Sequence, residues 1–270
     1  MPAIIEQVGI STGRTDVGIL YRDQLIDPGC ISLLDFNHKW GYAAMATPVA
    51  ANTNMRNYRR SGNVAIVAGT PAWSGGMLII SGAATQVALG TEWKLPSTCS
   101  HFAIGGFMKV PLSGFTINGT GTTYASLFGW SQTNGSNAQY GLRALYDKAT
   151  GLANNIYLSM NGAVVDIKSV IPTDGLVHHY AFEMYANTSN TFQIKVYIDG
   201  ILVYTSTAQT WSGSLVVPSG SAPYIGAYGN NTDAKGAVGR LWLWDLTVAG
   251  SKTITDLIIA DITQNPSRFS

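Results

Sequence analysis

From about residue 76 onward the chain alternates apolar and polar positions with a period of two, the signature of half-buried strands. In Ser100–Val110, one face carries Phe102, Ile104, Met108 and Val110. Tyr124–Ser131 predicts another strand, and Gln139–Asp147 places Tyr140, Leu142, Ala144 and Tyr146 on one side. Ile156–Met160 and Val164–Ile167 flank Asn161-Gly162, a pair that supplies the two positive φ angles of a type I′ hairpin. Asp199-Gly200 repeats the device between Phe192–Ile198 and Ile201–Thr205, and His178–Tyr185 and Val238–Val248 complete the strong strands. A single segment has a helical signature: Thr253-Ile254-Thr255-Asp256 resembles a capping box, Leu257–Ile262 follows, and Pro266 closes it. Residues 1–28 show no clear period and read as an extension of a single all-β domain over 29–270. The expected fold is an antiparallel β-sandwich with one short C-terminal helix.

Several of these segments, in order, resemble the concanavalin A-like, laminin-G-type jelly rolls of tailed bacteriophage proteins. They are Ile31–Asn37, Gly69–Gly82, Phe102–Lys109, Val177-His178-His179-Tyr180-Ala181, Val196–Gly200, Tyr224–Ala227, Gly239–Trp242 and the tail Asn265–Phe269. Val177 stands where that family often has Trp. The resemblance implies a virion structural protein displayed on the particle surface, as capsid decoration or as a tail component that binds receptors. The extension would then anchor it to other virion proteins, with Val17, Ile19, Leu20 and Tyr21 adding to a neighbour's sheet edge. A homo-oligomer, for instance a trimer, fits that setting. The alternative is a bacterial carbohydrate-binding module or adhesin domain without catalytic activity.

Composition narrows the chemistry. Charged residues make up 11% of the 270 positions, with 16 Lys and Arg against 15 Asp and Glu, so a phosphate-neutralising nucleic-acid partner is not expected. No apolar run reaches the length of a membrane span, and Met1–Glu6 lacks the start of a signal peptide. Cys30 and Cys99 have no metal-type spacing and read as free buried thiols. Glycosidases need two carboxyl groups held close together. The three glutamates, Glu6, Glu92 and Glu183, form no such pair, and Glu183 reads as a solvated residue on its strand. Adjacent His178 and His179 point to opposite faces, which suits packing and hydrogen bonding and not a two-His clamp. No enzyme activity and no cofactor are expected. Calcium would need more acids than Asp233 beside Asn230 and Asn231 provides, and Asp147 and Asp166 are isolated.

Glycan binding is the chemistry that remains, since sugars are held by aromatic faces and neutral amides. Two loops have that composition: Trp130 followed by Asn134, and Tyr228 followed by Asn230 and Asn231. The alternative, in which Trp130 and Tyr228 pack in the core or across strands, stays open. Trp242 and Trp244 share a face of the last strand and belong to the core or an interface.

Overall fold

The computed structural model describes residues 23, 25–38, 41, 47, 49–59, 64–67, 69–82, 86–115, 119–131, 137–219, 222–226 and 235–266. Among these the first nine strands are β1 Cys30–Asp35, β2 Asn54–Arg56, β3 Val64–Val67, β4 Ala72–Ser74, β5 Met77–Ser81, β6 Val87–Ala88, β7 His101–Lys109, β8 Thr122–Ser131 and β9 Ala138–Asp147. Nine follow: β10 Ala153–Met160, β11 Ala163–Asp166, β12 His178–Ala186, β13 Thr191–Ile198, β14 Ile201–Thr205, β15 Gln209–Thr210, β16 Tyr224–Ile225, β17 Lys235–Val238 and β18 Arg240–Asp245. The helix α1 spans Ile254–Gln264.

The strands form two antiparallel sheets. One has ten strands along the path β14-β13-β12-β7-β17-β5-β4, with β18 joining β7 to β1 and β15 beside β13. The other has eight in the order β11-β10-β9-β8-β16-β6-β3-β2. Alternation sends Tyr140, Leu142, Ala144 and Tyr146 of β9 inward, where they meet Phe102, Ile104 and Met108 of β7 and Phe182 and Met184 of β12. This is the sandwich core. Both expected hairpin turns are present, with φ of 50° and 80° at Asn161 and Gly162 and 49° and 85° at Asp199 and Gly200. The expected strand Val238–Val248 divides at Gly239 into β17 and β18 and stops at Asp245. Both pieces pair with β7, which stays close to β18 because Gly106, at φ +141°, has no side chain: a Cβ there would lie 2.1 Å from the Arg240 carbonyl oxygen.

A third layer covers the back of the ten-stranded sheet. Trp242 and Trp244 point away from the sandwich and, with Ala103, Ala181 and Tyr197, pack against Leu257 and Ile258 of α1 and against Leu25 and Ile26. Leu25 and Ile26 fall inside the extension expected over residues 1–28, yet they are buried at 0% and 5% exposure. Thr253 caps α1 as its sequence foretells, its hydroxyl accepting from the Asp256 amide at 3.2 Å. Cys30 and Cys99 are free and buried, and burial pushes both thiols well above the usual range.

Arg240 is the joint of this layer. Its guanidinium is completely buried and meets three aspartates: Asp261 of α1 at 2.7 Å, Asp35 of β1 at 2.8 Å and Asp23 at 2.9 Å. Burial alone would raise the Asp261 carboxyl, but Arg240 and then His179 outweigh it and hold it below the usual range. An ionised carboxylate only accepts, so His179 Nε2–H and Trp242 Nε1–H donate to Asp261, at 3.1 and 2.8 Å. Asp27 binds the same layer from the other side, accepting from Trp244 Nε1 at 2.8 Å and the Lys252 amide at 2.7 Å.

Candidate functional site

The face of the eight-stranded sheet turned away from the core carries a set of polar and aromatic side chains. Cross-strand register builds it in rows. Tyr224, Gly129, Gly141 and Ser159 lie side by side on β16, β8, β9 and β10. The next row along the strands is Ser126, Arg143, Tyr157 and Asp166, and the third is Tyr124, Leu145 and Asn155. Gly129 and Gly141 place no side chain between Tyr224 and Ser159, which are three strand spacings apart, about 14 Å.

Arg143 occupies the centre. Its guanidinium carbon lies 4.2 Å from the Tyr124 ring centre and 5.8 Å from that of Tyr157, so the cation is flanked by two π faces. The two rings are 6.4 Å apart and tilted by 51°. Arg143 is buried, whereas Tyr124, Tyr157 and Tyr224 are half-exposed. The hydroxyls of Ser126 and Ser159 are buried with no hydrogen-bond partner. The arrangement offers the half-exposed rings of Tyr124, Tyr157 and Tyr224 around a buried cation, while Ser126, Gly129, Gly141 and Ser159 between them are themselves buried.

A β-bulge decides which side chains reach this face. Leu127 is an extra residue opposite β9: Ser126 pairs with Arg143 and Phe128 with Leu142. The bulge keeps Ser126 and Gly129 on the outer face and sends Leu127, Phe128 and Trp130 into the core. Trp130 is therefore corrected as a sugar-contacting residue. At 1% exposure it fills the sandwich, with the Lys94 ammonium 5.2 Å from its ring centre. Asn134, Tyr228, Asn230, Asn231 and Asp233 lie outside the described residues, as do Val17, Ile19, Leu20 and Tyr21.

The acids and histidines take structural positions. Glu183 is 2% exposed, not solvated, because α1 and the segment around Leu25 cover much of that side of its sheet. Its carboxylate meets His101 Nε2 at 2.7 Å, accepts from Tyr197 Oη at 2.8 Å and lies 3.4 Å from Lys195 Nζ. Burial raises its carboxyl, and these contacts more than reverse that and lower it. His178 and His179 do point to opposite faces: His179 reaches Asp261, and His178 bridges Asp199 at 2.6 Å and Asp174 at 3.0 Å. Asp147 accepts from the amides of Ala149 and Thr150, and Asp166 from Asn155 Nδ2 and the Ile156 amide. Among the described residues no group of three or more His, Cys, Asp or Glu could hold a metal ion, and no helix is long and apolar enough to cross a membrane.

No protein-family model and no curated protein matches the chain. Similarities to solved structures are distant. A mutant of the NanB sialidase from Streptococcus pneumoniae aligns at 14% identity and a TM-score of 0.36, over 60% of this chain and 23% of that one. The binding domain of botulinum neurotoxin serotype G aligns at 13% identity and 0.43, over 87% of this chain and 51% of that one. The Ruminococcus gnavus IT-sialidase CBM40, solved with α2,3-sialyllactose, aligns at 16% identity and 0.40, over 68% and 96% of the two chains. The chain thus spans about half or less of the length of the first two.

Proposed function

We propose that this chain is a non-catalytic glycan-binding domain that uses the outer face of its eight-stranded sheet. The observation that carries the proposal is the Tyr124–Arg143–Tyr157 stack, whose two tyrosine rings, like that of Tyr224, are half-exposed on this face. Sugar rings present an apolar face to aromatic side chains and hydroxyls to polar groups, and the three half-exposed tyrosines of this face offer both. The test is a glycan array followed by calorimetry on each hit. Wild-type protein binds at least one glycan, and Tyr157→Ala and Tyr224→Ala each weaken it about tenfold. Silence across the array, or affinity unchanged in both variants, refutes the reading.

Display on a virion is the setting we propose for this domain, supported by the order of segments from Ile31 to Phe269 that resemble phage jelly rolls. The protein is then found by mass spectrometry in purified particles, and a chain lacking residues 2–22 is not incorporated. Such a truncation must stop before Asp23, because Asp23 and Asp27 hold the fold itself. Wild-type occupancy after truncation removes the anchoring role from that segment. Recovery of the protein from a bacterial culture medium, and not from particles, favours the adhesin setting.

A further inference from the structure

The layer built on α1 and Leu25 covers the outer face of the ten-stranded sheet around Ala103, Ala181 and Tyr197. Beyond them, the alternation of the strands continues on the same face to His101 of β7, Glu183 and Tyr185 of β12, and Gln193 and Lys195 of β13. Register sets these in two rows. Gln193, Tyr185 and His101 stand side by side, and Lys195 and Glu183 stand side by side in the adjacent row. The patch is open at its centre: Tyr185 is 40% exposed, and the side chains of His101 and Lys195 are 25% and 26% exposed.

Glu183 fixes the patch from beneath. The one buried carboxylate holds both His101, at 2.7 Å from Nε2, and Lys195, at 3.4 Å from Nζ. The imidazole stands edge-on to the Tyr185 ring, with centres 4.9 Å apart and planes at 75°, and the Lys195 ammonium lies 5.1 Å from the same ring centre. An exposed aromatic ring is thus framed by polar groups whose positions are set before any ligand arrives, which lowers the entropy lost on binding.

The hydrogen-bonding groups left over define the occupant. Burial raises the Glu183 carboxyl, but its partners bring it below the usual range, so the carboxylate accepts and His101 Nε2 carries the proton. Nδ1 of the neutral ring is then an acceptor, bonded to no described residue. Gln193 donates Nε2 to the Ser206 carbonyl at 3.3 Å and keeps Oε1 as a second acceptor. Lys195 has N–H groups beyond the one facing Glu183, and the Tyr185 hydroxyl both donates and accepts. An anion would call for donors alone and a cation for acceptors alone. A hydroxyl uses both, and a sugar brings several hydroxyls together with an apolar face for an aromatic ring. We infer that this patch is a second saccharide site, which takes a neutral sugar ring over Tyr185. It rests on the reading of the chain as a glycan-binding domain, but not on the Tyr124–Arg143–Tyr157 face, which belongs to the other sheet.

Side-chain NMR of the full chain tests it, in titrations with the methyl glycosides of glucose, galactose, mannose, rhamnose and N-acetylglucosamine, and with sodium sulfate as the anion probe. The His101 and Tyr185 ring signals shift to saturation with at least one glycoside. Followed at His101, that affinity falls about tenfold in Tyr185→Ala and about fivefold in Gln193→Ala. Shifts confined to the Tyr124 and Tyr157 rings overturn this site and leave the other face standing; shifts here and none there do the reverse. No response at His101 and Tyr185 to any of the glycosides, an equal response to sulfate, or unchanged affinity in both variants also overturns the proposal.

Discussion

Replacing Arg240 with methionine tests how much of the fold hangs on the buried joint. The substitution keeps the volume of the stem and deletes the charge shared by Asp23, Asp35 and Asp261. Asp261 and Asp35 are 0% and 2% exposed, so the change leaves two buried carboxylates without their cation. Breaking a buried pair in this way costs about 3–5 kcal/mol, against a typical total of about 5–15 kcal/mol. A domain of this size loses roughly 10 °C in Tm for that penalty. Urea and thermal denaturation followed by tryptophan fluorescence measure it, since Trp242 and Trp244 stand in the same layer. The pH dependence is diagnostic. In the wild type the Asp261 carboxyl sits below its usual 3.8, so its stabilisation is complete above that value and is lost as pH falls through the lower folded one. In Arg240→Met, burial without the opposing cation raises the Asp261 carboxyl, so the variant gains stability as pH drops from 7 towards 5 while the wild type does not. A loss under about 1 kcal/mol, or parallel pH profiles, would refute the account of the joint.

Three further outcomes follow from the structure. Glu183→Gln should cost about 1–2 kcal/mol at neutral pH; because the wild-type carboxyl is lowered from its usual 4.5, the gap is full above that pH and closes as pH falls through the folded value in paired urea titrations. For His178, burial disfavours the charged ring, but Asp199 and Asp174 outweigh it and raise its pKa above 6.5; His178→Gln is therefore less stable than wild type at pH 6, the two converge as pH rises through the folded value, and NMR titration of the imidazole reports the raised midpoint directly. Gly106→Ala should lose about 3 kcal/mol or more or fail to fold, because the new methyl meets the Arg240 carbonyl carbon at 2.7 Å as well as its oxygen; wild-type Tm in that variant would show that β7 and β18 can separate without cost.

Local chemistry made much of this fold legible before any coordinates. Asn161-Gly162 and Asp199-Gly200 announce their turns because few residue pairs tolerate two positive φ angles, and Thr253 announces its cap through Asp256. The candidate site was less accessible. Strict alternation from Tyr124 puts Trp130 on the outer face with it, but the bulge at Leu127 inverts the phase and buries Trp130. Nothing in the local pattern marks that extra residue. Arg143 sits opposite the apolar set of β9 and so was readable as outward-facing. Its partnership with Tyr124 and Tyr157 depends on the registers of two separate strand pairs. Glu183 failed for a different reason: whether an outward residue is solvated depends on what covers the sheet, and its cover comes from both ends of the described chain.

The position of the arginine joint in the chain also sets the order of events during synthesis. Asp23 and Arg240 are 217 residues apart, and β1 finds its strand partner in β18. The segment from Asp23 to Asp35 must therefore wait, with Leu25, Leu33 and Leu34 unsheltered, until Arg240–Asp245 has left the ribosome. At 5–20 residues per second that interval is roughly 10–40 s. This early segment is thus among the last to be locked in place, and a ribosome that stalls before Arg240 leaves it open to proteases and chaperones.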